Sequence, residues 1–235
     1  VAIRADLKRT LDAFTEAAGS DPARAERIQD LAASRAEWRD RFESDLTSDE
    51  TPIKPQRVVH ELNERLPAEA VLVSATSFPG FFSAAFYETE TAGLGYLQAR
   101  GSDGINVCLP QALGVQAARP DDPVVALSGD GGIGYHIADL ETAARENLPI
   151  TVVVTNNSSF ASSKMSQIQS HNFDMSTDFA GGVDFAQVAR GFGCAGERIE
   201  DPDRVGPAIE ESLDADVPTL LDVRVDPMAL PPVKV

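Results

Sequence analysis

The chain has 235 residues, 43% of them apolar, with 37 acidic against 20 basic residues and a formal net charge of -17. Such a chain holds enough apolar material for one large α/β domain plus an appendage, and its charge excludes nucleic-acid backbones and anionic membrane surfaces as partners by repulsion. No run approaches the roughly 18 apolar residues of a membrane span, and the first residues lack the charged-then-apolar layout of a signal peptide, so a cytoplasmic location is expected.

Ile3, Leu7, Leu11 and Phe14 recur at helical spacing before Gly19, which predicts an opening helix with an apolar stripe over residues 1–20. From Asp21 to about Asp45 the pattern is charged and Ala-rich, a second, largely solvated helix, and Thr47 to Pro55 reads as a linker. The domain boundary is placed there, with 21–54 as helix plus linker and 55–235 as the main domain. After Pro55, helical patterns alternate with short β-branched runs at 70–74, 124–128, 150–155, 197–199 and 219–225. The intervening helices are expected at 56–65, 109–118, 135–147, 185–192 and 202–213. That alternation predicts a three-layer, doubly wound parallel sheet with helices on both faces. Cys108 and Cys194 stand far apart in apolar sequence without CxxC spacing, so both are read as buried free thiols. The lysines are Lys8, Lys54, Lys164 and Lys234. An acidic, Lys-poor composition fits a salt-loving cytoplasm, although a GC-rich genome produces much of the same bias.

The chemistry concentrates between Ser128 and Ser159. Val124 to Ser128 reads as a buried strand that runs into Gly129-Asp130-Gly131-Gly132-Ile133-Gly134 and then a helix, the setting of a dinucleotide-binding GxGxxG. Two features oppose that function. Asp130 would point a carboxylate at a pyrophosphate, which is costly unless a divalent cation lies between them. The next strand ends in Asn156-Asn157 rather than in the acidic residue that holds ribose hydroxyls. Neighbouring parallel strands end side by side, so Asp130 and Asn157 are placed to meet on one octahedral ion while the amides of Gly131 to Ile133 face phosphate. The pattern calls for a magnesium diphosphate.

Gly129-Asp130-Gly131, then twenty-four residues, then Asn156-Asn157 resembles the signature of thiamine diphosphate enzymes. Ser128–Ser159 as a whole is similar to the acetolactate synthase, benzoylformate decarboxylase and acyl-CoA lyase branch, in the C-terminal domain that binds the cofactor. The resemblance implies thiamine diphosphate and Mg2+ as cofactors, with Asp130, Asn157 and the Ser159 carbonyl as metal ligands and Gly129, Gly131, Gly132 and Ile133 at the diphosphate. Gly132 stands where many relatives carry Ser or Ala, so a hydroxyl contact to phosphate is absent while the backbone amide remains. The run Gly101 to Gly114, with Leu109-Pro110 inside it, resembles the glycine-rich segment of the same enzymes. It implies Ile105 as the apolar wedge that bends the cofactor and the Asp103 carbonyl as an acceptor for its amino group, although relatives usually have Gly at that last position. Thr76 and Ser77 follow the first strand where relatives keep small polar residues against diphosphate, though helix capping explains the same residue types. Phe160, Ser163 and Lys164 lie in a polar, flexible-looking stretch after the metal loop and are the candidate substrate contacts. His136 and His60 are read as surface residues.

In the resembled family a glutamate that activates the cofactor lies in a separate N-terminal domain, and no segment here is similar to it. No catalytic residue is therefore expected within this sequence. The opening helix resembles the tail of a middle domain, so the chain is expected to begin mid-protein and to be inactive alone. The resemblance implies a homodimer or homotetramer with the site shared between subunits, a small 2-oxo acid as substrate, and acetolactate synthase-like carboligation with decarboxylation of pyruvate. The alternatives are a 2-oxo acid decarboxylase, a 2-hydroxyacyl-CoA lyase, or the cofactor-binding subunit of a two-polypeptide enzyme. FAD, present in some members of that branch, would be held mostly by the domains not seen here.

Overall fold

The computed structural model describes residues 2–18, 22–101, 104–179 and 182–232. Its backbone divides into two compact units, 1–43 and 44–235. The first contains α1 (Leu7–Ala18) and α2 (Pro22–Asp40), and the short α3 (Glu43–Leu46) lies at the division. α1 has no buried residue, and the stripe of Ile3, Leu7, Leu11 and Phe14 is exposed.

The second unit is built on a six-stranded, all-parallel sheet in the order β2-β1-β3-β4-β6-β5. In chain order its elements are α4 (Pro55–Arg65), β1 (Val71–Ser74), α5 (Phe78–Phe86), β2 (Tyr96–Gln98), α6 (Cys108–Ala118), β3 (Val124–Gly129), α7 (Asp130–Ile133) and α8 (Asp139–Arg145). Then come β4 (Thr151–Asn156), α9 (Ala161–His171), α10 (Phe185–Gly191), β5 (Ala195–Ile199), α11 (Pro202–Leu213) and β6 (Thr219–Arg224). The central strands are apolar on both faces because helices cover both. Alternate residues point to opposite sides: Val71, Val73, Val124, Ala126, Val152 and Val154 pack against α6, α8 and α10. Leu72, Val125, Leu127, Val153, Leu221 and Val223 pack against α4 and α11. Each fully buried Val, Leu or Ile contributes about 1.5–3 kcal/mol relative to exposure, so the two layers fix the sheet from either side.

The expected doubly wound parallel sheet is therefore present, with local differences. The helix expected over 135–147 is shorter, running from Asp139 to Arg145. Asp130–Ile133 forms one turn, residues 134–138 are turns, and regular helix resumes at Asp139. Gly131, Gly132 and Gly134 have the low helix propensity that stops propagation, while Asp139 and Glu141 place acidic side chains in the first turn of the new helix. The stretch expected to be flexible after the metal loop is instead α9, pinned by buried Ala161 and Met165 one turn apart and ended by Asn172 in the left-handed region, φ 56°. α5 and the edge strand β2 were not expected. α5 hides Phe78, Phe82 and Phe86 on one face with Pro at its start, and β2 is only three half-buried residues long.

The chain turns one way from β1 to β2 and the other way to β3, so β1 and β3 flank a topological switch point. In an open α/β sheet the crevice beyond the C-terminal strand ends at such a point is where ligands bind.

Candidate functional site

A cleft of about 200 Å³ opens there. Three strand ends build it. Ala75 to Pro79 follow β1, Gly129 to Gly132 span the end of β3 and α7, and Thr155, Asn157, Ser159 and Phe160 follow through the end of β4. Ile105 and Asn106 complete the wall ahead of α6.

The β3–β4 register sets Gly129 opposite Thr155, which brings Asp130 and the Asn156–Ser159 loop together. Asp130 is 5% exposed. Its Oδ1 accepts from the Gly131 amide at 2.8 Å and its Oδ2 from the Ser159 amide at 3.1 Å. Asn157 Oδ1 accepts from the same Ser159 amide at 3.0 Å and from Ser159 Oγ at 3.1 Å. The two side chains expected to be ligands thus converge on one backbone N–H. Burial pushes the Asp130 carboxyl up to about 6, against the opposing pull of the Gly131, Ser159 and Ser158 amides and the charge of Arg224. Among the described residues no cation lies within 4 Å of it. A buried carboxyl without an ion-pair partner among the described residues, beside the neutral amide oxygen of Asn157, is a hard-oxygen donor set that fits magnesium. Among the described residues no three His, Cys, Asp or Glu side chains gather, so the set is one carboxylate with neutral oxygens.

The loop is held from behind. Asn156 is buried, donates Nδ2 to Asp222 Oδ1 at 2.7 Å and to the Val183 carbonyl at 3.1 Å, and accepts at Oδ1 from the Ser158 amide and from Arg224 Nη1. Arg224 Nη1 also donates to Ser158 Oγ at 3.0 Å, across a residue held at φ 58°. Of the two adjacent asparagines, one therefore supports the loop and the next faces the cleft.

Thr76, Ser77, Ile105, Gly129, Asp130, Gly131, Gly132, Asn157, Ser159, Phe160 and Ser163 all line the cleft. Ser77 occupies the N-cap position of α5, yet its side chain makes no cap hydrogen bond and its backbone sits at φ 69°. Its hydroxyl is not consumed by capping, and non-glycine strain of this kind concentrates at functional sites. Ile133 is fully buried in the sheet-facing core and does not line the cleft. Lys164 does not line the cleft. Its ammonium pairs with Asp178 at 2.8 Å and with Asp174 at 3.8 Å. Asp103 lies outside the described residues. His136 stands 3.7 Å from Asp139 and away from the lining. Cys108 and Cys194 are buried free thiols. Sequence reasoning missed Asn106, Phe78, Pro79 and Thr155 in the lining and Asp222 and Arg224 behind it. A lone amide in the apolar Ile105–Leu109 run was the available signal for Asn106.

Residues 80–223 match the family model for the thiamine pyrophosphate enzyme, C-terminal TPP binding domain. The chain belongs to that family. It is 28% identical over 187 residues to the probable acetolactate synthase large subunit of Methanococcus aeolicus, covering 76% of this chain and 31% of the relative. It is 34% identical over 128 residues to the acetolactate synthase of Bacillus subtilis, covering 54% and 22%. Among solved structures, the Rhodococcus jostii RHA1 thiamine diphosphate-dependent 4-hydroxybenzoylformate decarboxylase superposes with a TM-score of 0.66 at 28% identity, over 73% of this chain and 32% of that one. The chain spans about a third or less of the length of these proteins. It is thus a TPP-binding domain homologous to acetolactate synthase large subunits, and its homologues are thiamine-dependent enzymes. Among the described residues no helix is long and apolar enough to cross a membrane.

Proposed function

We propose that the cleft holds the diphosphate of thiamine diphosphate through a magnesium ion bound by Asp130, Asn157 and the Ser159 carbonyl. We further propose that the whole protein is an acetolactate synthase-like enzyme acting on pyruvate. The observation that carries the first part is the convergence of Asp130 and Asn157 on the Ser159 amide, around a buried carboxyl that makes no ion pair among the described residues. The backbone amides of Gly131 to Ile133 and the hydroxyls of Thr76 and Ser77 are the donors for the phosphate oxygens, and Ile105 is the apolar support for the rest of the cofactor. When bound, thiamine diphosphate supplies a nucleophilic carbon that allows loss of CO2 from a 2-oxo acid and transfer of the remainder to an acceptor carbonyl. Phe160 and Ser163, which line the cleft, would be the residues available to contact a substrate, whereas Lys164 is held by Asp178 outside the lining.

The acetolactate synthase names of the relatives support carboligation. In this reading the activating carboxylate comes from another domain, the site is completed by a second subunit in a homodimer or homotetramer, and the enzyme works in the cytoplasm. The likeness to a 4-hydroxybenzoylformate decarboxylase favours simple decarboxylation as the second reading. Incubating the whole protein with pyruvate and a series of other 2-oxo acids, and identifying the products, separates them. Acetolactate from pyruvate is expected; aldehyde as the sole product would establish the decarboxylase, and no turnover of any 2-oxo acid by the cofactor-loaded protein would end both.

A further inference from the structure

Asn106 is 1% exposed, sits in the wall of the cleft, and has a buried side-chain Nδ2 without a hydrogen-bond partner. Its Oδ1 is doubly occupied, accepting from Cys108 Sγ at 3.1 Å and from Ser128 Oγ. Burial holds the Cys108 thiol at about 12, so it remains a protonated donor. Two donors on the oxygen fix the amide plane and leave the NH2 as the free end. Beside it is Gly132, where an added Cβ would lie 3.1 Å from Asn106 Cβ. The asparagine side chain therefore fills the space that a side chain at 132 would take, next to the turn from Asp130 to Ile133. The backbone at Asn106 is left-handed, φ 55°, a conformation asparagine tolerates better than most residues. A buried amide NH2 without an acceptor is costly, and a ligand oxygen at that point removes the cost.

We propose that Asn106 is a cofactor-binding residue whose Nδ2 donates a hydrogen bond to a phosphate oxygen of the diphosphate, on the same side as Gly132. This rests on the function proposed above, in which the Asp130–Ile133 turn faces the diphosphate. The amide supplies from the α6 side the contact that residue 132, lacking a side chain, does not make. A neutral donor suits the position, since it adds no charge beside Asp130.

The test is calorimetric titration of the protein with magnesium and either thiamine diphosphate or inorganic pyrophosphate, alongside thermal melting. Asn106→Gly deletes the amide while accommodating the left-handed backbone, and Ser128→Ala removes one partner of Oδ1 while leaving the NH2 in place. Asn106→Gly is expected to weaken both ligands by a similar factor, about tenfold, as for a lost hydrogen bond to a charged group. Ser128→Ala is expected to weaken both ligands by less than Asn106→Gly does, because Cys108 still holds Oδ1 and the NH2 remains in place. Unchanged affinities in a folded Asn106→Gly overturn the proposal, as does weaker binding of thiamine diphosphate with pyrophosphate unaffected, which would turn the amide toward the organic part of the cofactor. Equal losses in Ser128→Ala and Asn106→Gly also overturn it, because the effect would then be structural. If the parent protein binds neither ligand, the proposed function itself fails, a result distinct from all of these.

Discussion

Asp130 carries the largest electrostatic tension in the site. Its carboxyl titrates near 6 in the folded, cation-free protein, against about 3.9 for an unperturbed aspartate. The folded state thus holds that proton more tightly than the unfolded chain, so the stability it contributes is full below about pH 4 and is lost as pH rises through about 6. A magnesium ion competes for the same lone pairs. Lowering the pH from about 7 to about 5 is expected to weaken magnesium-dependent binding progressively below pH 6, approaching tenfold per unit, measured by titrating the cofactor at each pH. Flat affinity across that range would remove Asp130 from the ligand set. Asp130→Ala is expected to lower affinity by at least about a hundredfold, as for an ion pair deprived of one buried partner. Its melting temperature at neutral pH should stay within a few degrees of the parent, because the Ser159 amide keeps Asn157 as an acceptor.

The elements around the cleft turn sequence spacing into geometry. Gly131 allows α7 to pass close to the Phe160 and Phe179 rings, since an added Cβ would meet the first at 2.6 Å and the second at 3.1 Å. Gly131→Ala is expected to cost about 1–3 kcal/mol in urea unfolding, the range for overpacking, and to weaken cofactor binding by displacing the Phe160 ring from the cleft wall. Behind the loop after β4, Asp222 is fully buried; burial raises its carboxyl, and its oxygens accept from Asn156 Nδ2 and the Phe185 amide at 3.0 Å. Asp222→Ala leaves the Phe185 amide without that acceptor and is expected to cost about 1–3 kcal/mol while loosening the Asn157 loop. Unchanged stability and affinity would show that the loop holds itself. The strands of the sheet interior were legible from their β-branched runs, and the Asp130 and Asn157 spacing placed both residues at adjacent strand ends. What was not legible had physical causes. α5 begins on an uncapped Ser77, β2 is a short edge strand with little burial, and residues 134–138 are turns that delay to Asp139 a helix whose pattern reads as starting at Tyr135. α9 was hidden because only Ala161 and Met165 are buried along a polar sequence. Asp222 and Arg224 lie on β6, some 65 residues beyond the loop they hold, a pairing that only the fold creates.

Across the whole molecule, the net charge of -17 imposes self-repulsion that salt screens. Raising potassium chloride from about 0.1 M to about 1 M shortens the screening length from about 10 Å to about 3 Å. The melting temperature is expected to rise accordingly, and a fall would argue against an adaptation to high salt. The sheet's switch point, the buried Asp130 and the family membership all bear on one cleft. Calorimetric titration of thiamine diphosphate into the protein, with magnesium and then with magnesium removed by chelator, tests that cleft most directly. Saturable binding that requires magnesium and disappears in Asp130→Ala is the predicted result; binding that survives both the chelator and the substitution, or no binding at all, would contradict it.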